Sequence, residues 1–380
     1  MIHLAEPNLS GNERKYLNEC IDTTFVSSVG EFVNRLEKEI CVASEVAFGT
    51  AVSSGTTGLQ MALKACGVEK DEMVCIPSFT FIATANAVMH CGAYPWLIDV
   101  DEKSWTMNPD VLEQELMEKA FVKNGKLYHK NSGRRVAAIM PVYTLGMPAD
   151  MDRLRTVADK YQLPLIADAA AAIGARYKGE NIGKIAKATV YSFNGNKTIT
   201  CGGGGGIVSE DEELIKLAKH MSTTARCGAD YDHDMVGYNY RMTNIQAAVG
   251  CAQLERLGEF VSKKREIRRF YNENLGTVEG VSLFPDIEWA ESACWFSGVL
   301  LDRRIPVKEV CTMLKEKGIE ARTFWKPVHL QKPYKDMEKS EMKVSEEVWD
   351  RVLTLPSSTG ITREQLAEVV TAVKEIIERF

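Results

Sequence analysis

The sequence predicts an α/β protein: a mostly parallel β-sheet of seven strands with helices on both faces, followed by a smaller α+β unit. Two observations support this prediction. Short, almost continuously apolar runs follow one another over residues 46–209, and amphipathic segments separate most of them. Continuous apolar runs are typical of strands buried on both faces, and the alternation of strands with helices favours parallel pairing.

The elements of the first unit follow in order along the chain. Helical spacing of apolar residues opens it, over residues 12–20 and 31–40. The seven predicted strands are 46–53, 73–77, 95–100, 136–142, 163–167, 189–193 and 206–209. The predicted crossover helices between them are 58–66, 80–91, 109–119 and 151–161. A polar segment over 123–135 contains Asn-Gly and Ser-Gly, and it predicts a surface hairpin inserted before the fourth strand.

The second unit begins where helical periodicity takes over, in residues 244–275. A chain of 380 residues is too long for one hydrophobic core, so we expect a large domain over 1–250 and a small domain over 251–380. The small domain is predicted to contain a strand at 295–301, a helix at 307–317 and a last helix at 362–380 with one apolar stripe.

The composition excludes several classes of protein. Apolar residues make up 45% and charged residues 26%, the balance of an ordinary soluble globular protein. The net charge is −6 and the basic residues are dispersed, so we expect no nucleic-acid partner. No stretch approaches the ~20 apolar residues that a membrane span needs, and the polar start of the chain does not resemble a signal sequence. We therefore expect no association with a membrane.

The cysteines and histidines give no metal-binding pattern. The ten cysteines contain no Cys-x-x-Cys pair, and the histidines are isolated from one another. This distribution predicts reduced thiols in a cytoplasmic protein, with neither a disulfide framework nor a metal site.

A lone lysine stands among small residues between Tyr191 and Cys201, and five glycines follow at 202–206. Lys197 is the only reactive group in that stretch. A lysine in a partly desolvated pocket can lose its proton near neutral pH, and a neutral amine is what bond formation with an aldehyde cofactor requires. A solvated loop lysine beside a flexible glycine linker explains the same residues equally well.

The segment Ser-Ser-Gly-Thr-Thr-Gly at 53–58 ends a predicted strand and opens a predicted helix. The free N–H groups and the positive dipole of a helix N-terminus form an anion site suited to a phosphate. An ordinary Ser or Thr N-cap accounts for this composition as well.

Asp168 lies at the carboxyl end of the fifth predicted strand, the edge at which ligands of open α/β sheets bind. A buried aspartate needs a positive partner, and a protonated pyridine nitrogen is such a partner. The alternative is an N-cap for the Ala-rich segment after it. The segment 237–244, which includes Asn239, is by itself typical of a loop that ends in a helix cap at Thr243 or Asn244.

Taken together and in this order, the segments resemble the DegT/DnrJ/EryC1/StrS family of sugar aminotransferases, which depend on pyridoxal 5'-phosphate (PLP), over essentially the whole chain. The resemblance implies fold type I of the PLP-dependent transferases. It rests on Ser-Gly-Thr-Thr at 54–57, Pro-Ser-Phe-Thr-Phe at 77–81, Asp-Ala-Ala at 168–170, Ser-Phe-x-x-x-Lys at 192–197 and Asn-Tyr-Arg-Met at 239–242.

The resemblance implies how the cofactor phosphate is bound. Gly55, Thr56 and Thr57 of the first motif would hold it together with Ser192. Asn239 would reach the phosphate of the neighbouring subunit, which implies a homodimer with shared active sites.

The resemblance also implies roles at the cofactor ring. Asp168 would pair with the pyridine nitrogen, Phe81 would stack on the ring, and Lys197 would carry the cofactor covalently. Asp168 and Lys197 are thus the predicted catalytic residues. Glutamate would donate its amino group to form pyridoxamine phosphate (PMP) and 2-oxoglutarate, and PMP would then aminate a ketosugar linked to a nucleotide.

Within the family, Asn-Gly-Asn-Lys at 194–197 with its glycine tail, and the predicted hairpin, are similar to the branch that aminates C4 of UDP-4-keto-6-deoxy-N-acetylhexosamines. Members of that branch serve surface-glycan and nonulosonic acid biosynthesis. Two residues depart from the family pattern: Ala171 stands where Gln or Glu is usual, and Tyr143 replaces a common His.

Three alternatives stay open at this point. One is a 3-ketosugar aminotransferase of the same family. Another is a catalytically altered PLP-fold protein, which only the presence of Ala171 suggests. The third is a dinucleotide-binding oxidoreductase that uses the glycine run. That run follows the seventh predicted strand rather than the first and lacks the GxGxxG context, so the third alternative is disfavoured.

Overall fold

The chain folds into two main groups of β-strands surrounded by helices, and the computed structural model describes residues 1–380. The α-helices are α1 (Glu13–Asp22), α2 (Glu31–Ser44), α3 (Gly55–Ala65), α4 (Ile82–His90), α5 (Pro109–Lys119), α6 (Met151–Tyr161), α7 (Glu212–Ser222), α8 (Asn244–Leu254), α9 (Leu257–Leu275), α10 (Val307–Glu316), α11 (Lys343–Val348) and α12 (Arg363–Ile377). Short 3₁₀ turns occupy Thr144–Gly146, Ile182–Lys184, Val328–Leu330 and Lys332–Tyr334.

The strands carry their numbers in chain order. They are β1 (Phe48–Val52), β2 (Met73–Pro77), β3 (Tyr94–Ile98), β4 (Ala120–Lys123), β5 (Lys126–His129), β6 (Val136–Ile139), β7 (Ile166–Asp168), β8 (Arg176–Tyr177), β9 (Glu180–Asn181), β10 (Ala188–Ser192), β11 (Gly205–Ser209), β12 (Arg226–Cys227), β13 (Asp232–His233), β14 (Val281–Leu283), β15 (Ala290–Glu291), β16 (Ser297–Leu301), β17 (Arg322–Thr323) and β18 (Val352–Leu355).

The large sheet has the strand order β1-β11-β10-β7-β6-β2-β3. Its two halves join through parallel bridges from Ile139 to Leu165 and from Val142 to Asp168. Only β11 runs antiparallel to its neighbours. The predicted seven-stranded, mostly parallel sheet is therefore confirmed.

Helices cover both faces of this sheet, because successive side chains of each strand point to opposite sides. In β10, Val190 packs with α3, α4 and α7 in one core, whereas Tyr191 packs with α2, α5, α6 and α8 in another. The same alternation holds for Ile166 and Ala167 of β7. Continuous burial of both faces explains why the strands of this sheet are almost continuously apolar in sequence.

A second sheet forms after α9, and it is antiparallel, with the order β14-β16-β18-β17. Helices α9, α10 and α12 share a core with it. The apolar stripe predicted for the last helix lies inside that core: Leu366, Val369, Val370, Val373 and Ile376. Ile2 also packs there, so the first residues of the chain join this unit. The domain boundary at residue 250 stays a prediction.

Several elements differ from the sequence expectation. Helix α3 begins at Gly55 rather than residue 58, because Ser54 and Thr57 form a reciprocal capping box that nucleates the helix earlier. The helical periodicity over 244–275 corresponds to two helices, α8 and α9. Helix α7 was not predicted, although Asp211 caps it and its apolar residues line one face. The predicted hairpin is formed by β4 and β5 and spans residues 120–129 rather than 123–135. No helix combines the length and the apolar character that crossing a membrane would require.

A buried ion cluster connects α2 with the loop that carries Asn239. Glu37 pairs with Arg241 and, at 2.8 Å, with Lys219, and it also accepts the N–H of Ala51 at 3.0 Å. The Ser53 N–H donates to the carbonyl of Tyr240 at 2.8 Å, so the loop continues along the edge of the large sheet. Burial opposes ionisation of Glu37, but Arg241 and Lys219 outweigh it, and the pKa of the carboxyl falls below its usual value.

Glu37→Gln should lower the free energy of unfolding at pH 7 by about 3 kcal/mol, because it leaves buried Arg241 without its counter-ion. The folded-state pKa of Glu37 is depressed, so its ion pairs stabilise the fold above the carboxyl's ordinary pKa and lose effect as pH falls through the lowered value. Urea denaturation of both proteins should therefore show a gap at pH 7 that narrows in acid. Glu213→Gln, at an exposed ion pair, is the matched control. Equal stability at pH 7 would contradict the prediction.

Candidate active site

A cavity of about 350 Å³ opens at the carboxyl ends of β7 and β10, beside the N-terminus of α3. Its volume lies in the range of small-molecule sites. Six of the residues singled out from the sequence line this cavity: Gly55, Thr56, Phe81, Asp168, Ser192 and Lys197. The two positions that depart from the family pattern, Ala171 and Tyr143, line it as well.

One end of the cavity is built for an anion. Gly55 and Thr56 open α3, so their N–H groups have no acceptor inside the helix. A Cβ at Gly55 would lie 2.8 Å from the Cβ of Ser192, closer than side chains approach one another. Glycine at this position thus lets the helix N-terminus meet the Ser192 side chain. Two N–H groups without helical acceptors, a hydroxyl and the positive end of a helix dipole therefore lie at one end of the cavity.

The glycine run also lets backbone segments come close together. Gly204 has φ +127°, a conformation that residues with a Cβ rarely adopt. A Cβ at Gly205 would lie 2.9 Å from the backbone nitrogen of Gly55. Gly203 and Gly204 line the same cavity. The run therefore makes room at the anion end, as an approach of backbone to a ligand requires.

Asp168 lies at the other end and is buried, with 4% of its surface exposed. Its carboxylate accepts the hydroxyl of Thr84 at 2.7 Å and the N–H of Ala170 at 3.1 Å. Burial raises the pKa of Asp168, while these two hydrogen bonds and the charge of Lys197 oppose the rise. The carboxylate is thus held in one orientation, and a cation in the cavity would stabilise its ionised form.

Thr84 was not found from the sequence. It lies in the first turn of α4, and its hydroxyl is also 2.9 Å from that of Thr80. A threonine after Pro-Ser-Phe-Thr-Phe carries no pattern that points to an aspartate 84 residues further along the chain. Only the packing of α4 against the end of β7 brings the two side chains together.

Lys197 is presented by a tight turn after β10, in which its N–H donates to the carbonyl of Asn194 at 3.0 Å. The side chain is half-buried, and the Nζ atom lies 3.8 Å from the ring centre of Trp295. Burial is the main cause that lowers the pKa of Lys197, to about 8, and Asp168 opposes the shift. A substantial fraction of the amine is therefore neutral close to physiological pH, as nucleophilic attack requires.

Aromatic side chains close the side of the cavity next to Lys197. Phe81 caps α4 and leaves 52% of its surface exposed, with its ring centre 5.6 Å from that of Trp325. Trp325 in turn lies 5.8 Å from Trp295. Neither tryptophan was predicted from the sequence. They lie 98 and 128 positions after Lys197, in the small unit, and no motif surrounds them.

Two predicted residues do not line the cavity. The N–H of Thr57 donates to the Ser54 hydroxyl at 3.1 Å within the capping box, so it is already engaged. Asn239 lies in the exposed loop before α8, and its backbone pairs with Thr223. Within one chain, the structure brings neither side chain to the cavity.

The residues of the cavity fit PLP, the cofactor that the sequence resemblance implies. The anion end suits its phosphate, the buried Asp168 suits a positively charged pyridine nitrogen, and the amine of Lys197 suits its aldehyde carbon. Phe81 offers an exposed aromatic face for stacking. The donor set therefore matches the chemical groups of this cofactor one by one.

Comparison with known proteins gives a family over nearly the whole chain. Residues 7–374 match the model of the DegT/DnrJ/EryC1/StrS aminotransferase family. GDP-perosamine synthase of Vibrio cholerae is 34% identical over 98% of this chain and 98% of its own. UDP-N-acetyl-3-dehydro-alpha-D-glucosamine 3-aminotransferase of Acidithiobacillus ferrooxidans is 30% identical over 94% of this chain and 91% of its own.

Solved structures agree with this assignment. DesV of S. venezuelae is 29% identical and superposes with a TM-score of 0.87, covering 97% of this chain and 95% of its own. A DegT DnrJ EryC1 StrS aminotransferase from Brucella abortus is 27% identical with a TM-score of 0.87, covering 96% of this chain and 95% of its own. The expectation of fold type I is confirmed by these neighbours.

When PLP is mixed with the cofactor-free protein, the yellow lysine-bound form should appear faster as pH rises through about 8 and should level off above it. Only the neutral amine attacks the aldehyde, and burial lowers the pKa of Lys197. Stopped-flow absorbance measures this rate. Lys197→Ala should bind PLP without forming the yellow band. A rate that keeps rising to a midpoint near 10.5, the ordinary value for lysine, would contradict the prediction.

Proposed function

This chain belongs to the DegT/DnrJ/EryC1/StrS aminotransferase family and is a PLP-dependent aminotransferase, and we propose that it aminates the 4-keto carbon of a nucleotide-linked 6-deoxy sugar. The observation that carries the amino-transfer part of the proposal is that Lys197, buried Asp168 and the anion end lie in one cavity of a chain that matches this family from residue 7 to residue 374.

Each part of the cavity has a task in this reaction. PLP, when bound, supplies an electron sink for the carbon that loses its proton. Asp168, oriented by Thr84 and Ala170, would keep a proton on the pyridine nitrogen. The Nζ of Lys197, once released, can take up a proton as general base and return it as general acid, because its pKa of about 8 lies near working pH.

The sugar substrate is inferred from two sources. Relatives that are at least 30% identical are named for a GDP-linked and a UDP-linked sugar, which supports a nucleotide sugar as the ketone. The turn 194–197 and the hairpin of β4 and β5 are similar to the branch that acts on UDP-4-keto-6-deoxy-N-acetylhexosamines. We therefore favour a UDP-linked 4-keto substrate, for surface-glycan or nonulosonic acid biosynthesis. A 3-keto substrate is the second candidate, since one relative is a 3-aminotransferase.

Glutamate is the proposed amino donor, with 2-oxoglutarate as its product. The cytoplasm is the proposed location, because all ten cysteines are free, as expected of a reducing compartment. Fractionation of cells that express the protein, followed by immunoblotting, tests the location. Recovery with the membrane or the medium would overturn it.

We also propose a homodimer in which Asn239 completes the partner's phosphate site. Two features of the chain support this proposal: Asn239 is exposed and outside its own cavity, and the loop before it carries exposed apolar side chains, Tyr231 at 85% and Val236 at 85%. Apolar surface of this kind is typical of protein interfaces.

The substrate proposal predicts the outcome of a panel assay. Glutamate should bleach the yellow band of the enzyme, and among 3-keto and 4-keto UDP-, GDP- and dTDP-sugars the UDP-4-keto-6-deoxy-N-acetylhexosamine should show a kcat/KM at least about tenfold above the 3-keto sugars. Mass spectrometry and NMR of the products identify the aminated carbon. Turnover of 3-keto sugars alone would replace the first candidate by the second. A protein that stays yellow with every donor would overturn the aminotransferase proposal, in favour of a catalytically altered one.

The shared site predicts complementation between two impaired variants. Lys197→Ala removes the amine, and Asn239→Asp should weaken PLP binding by placing a negative charge near the partner's phosphate. In a mixed dimer, one site carries both changes and the other carries neither. Unfolding and refolding an equal mixture should therefore restore about a quarter of wild-type activity. Activity no higher than that of the separate variants would argue against a shared site.

A further inference from the structure

The indole of Trp295 makes two contacts with the turn that carries Lys197. Its ring face lies 3.8 Å from the Nζ of Lys197, measured to the ring centre, and its Nε1–H donates to the carbonyl of Asn196 at 2.7 Å. Trp295 is itself buried, with 3% of its surface exposed. One ring thus holds both the side chain of the lysine and the backbone of the residue before it.

Lys197 has no other protein partner of comparable strength. Its amine donates no hydrogen bond to a protein oxygen, and Asp168 is the only charged group that shifts its pKa. The face of an indole binds an ammonium ion through the ring quadrupole. A neutral amine can also point an N–H at that face. The contact with Trp295 therefore suits both protonation states of the lysine.

Two buried side chains of α9 hold the backbone of Trp295 and the residue after it. The Nζ of Lys264 donates to the carbonyl of Trp295 at 2.9 Å and to that of Ser357 at 2.6 Å. Arg268 donates to the carbonyl of Phe296 at 2.6 Å. Lys264 and Arg268 are 3% and 9% exposed, and burial lowers the pKa of Lys264 to about 7. Two buried side chains are thus engaged in fixing the backbone at 295–296.

We infer that Trp295 is a positioning residue, whose ring holds the amine of Lys197 in place whenever that amine is not bonded to the cofactor, and that Lys264 secures the ring. The inference rests on the proposed function, since an aminotransferase must release and recapture its lysine in each half-reaction. A released lysine side chain has four rotatable bonds. Docking the amine on the ring keeps it within reach of the carbon to which it returns a proton.

Graded fluorination of the indole tests the contact directly. Site-specific incorporation of mono-, di-, tri- and tetrafluorotryptophan at position 295 weakens the negative face of the ring while its shape and its N–H are kept. The ammonium form of Lys197 loses stabilisation at each step. The midpoint of the pH dependence of PLP capture by the cofactor-free enzyme should therefore fall steadily, by about half a unit or more over the series.

The same series at position 289 is the matched control, because Trp289 packs on Tyr177 and does not line the cavity. Fluorination there should leave the midpoint unchanged. A midpoint that does not move with fluorination at 295 would overturn the inference. The measurement uses no sugar and no amino donor, so it stands or falls separately from the proposed substrate.

Substitutions then separate positioning from general stability. Trp295→Leu should slow the step that joins captured PLP to the lysine by about tenfold or more, with the dissociation constant of non-covalently bound PLP nearly unchanged, because the phosphate end is intact. Trp295→Phe retains an aromatic face and should recover much of the rate. Lys264→Met should slow the same step, by less than Trp295→Leu. Trp289→Leu, at a half-buried tryptophan packed on Tyr177, controls for the loss of an indole.

A slowed joining step together with equally weakened PLP binding and reduced thermal stability would show a merely structural role for Trp295, and would overturn the inference. A wild-type rate in Trp295→Leu would overturn it as well.

Discussion

The burial of two ionisable groups at one end of the large sheet is the constraint on which the site depends. Asp168 is buried there and Lys197 is half-buried, and each charged form needs compensation for the water it has lost. Asp168 receives it from two hydrogen bonds, and Lys197 from the face of Trp295. Because neither group has a full counter-ion in the protein, the cavity is suited to a ligand that carries both a cationic ring nitrogen and an electrophilic carbon.

Sheet topology explains why these groups meet the anion end. The single antiparallel strand, β11, returns the chain from the lysine turn to the edge of the sheet beside β1. Its first residues are the glycines that pass the N-terminus of α3 at close range. Bulkier residues would push that helix away from Ser192. Strand β11 therefore also sets the distance between the anion end of the cavity and Lys197.

The second sheet contributes to the site through one short segment. Residues 295–297 leave the cavity wall and enter β16, and the ring beside Lys197 packs in a cluster that joins the two units and includes Phe79 and Val352. Helix α9 fixes this segment through Lys264 and Arg268, whose buried side chains donate to backbone carbonyls. Burying such polar groups costs free energy unless they are hydrogen-bonded, so their presence indicates that the position of the segment matters. The position of the Lys197 amine thus depends on how the two units pack against each other.

The sequence by itself determined the class of fold, because burial on both faces imposes an apolar pattern that is legible residue by residue. It also placed Lys197, Asp168 and the Ser54 turn at strand ends, since each follows a strand directly. It did not reveal Thr84, Trp295 or Trp325, whose roles depend on contacts with Asp168, Lys197 and Phe81 across 84, 98 and 244 positions with no local pattern. Nor did it show that the Thr57 N–H is used within its own helix cap. Those features arise only when helices pack against strand ends, because side-chain contacts between distant segments are set by the tertiary arrangement and not by local periodicity.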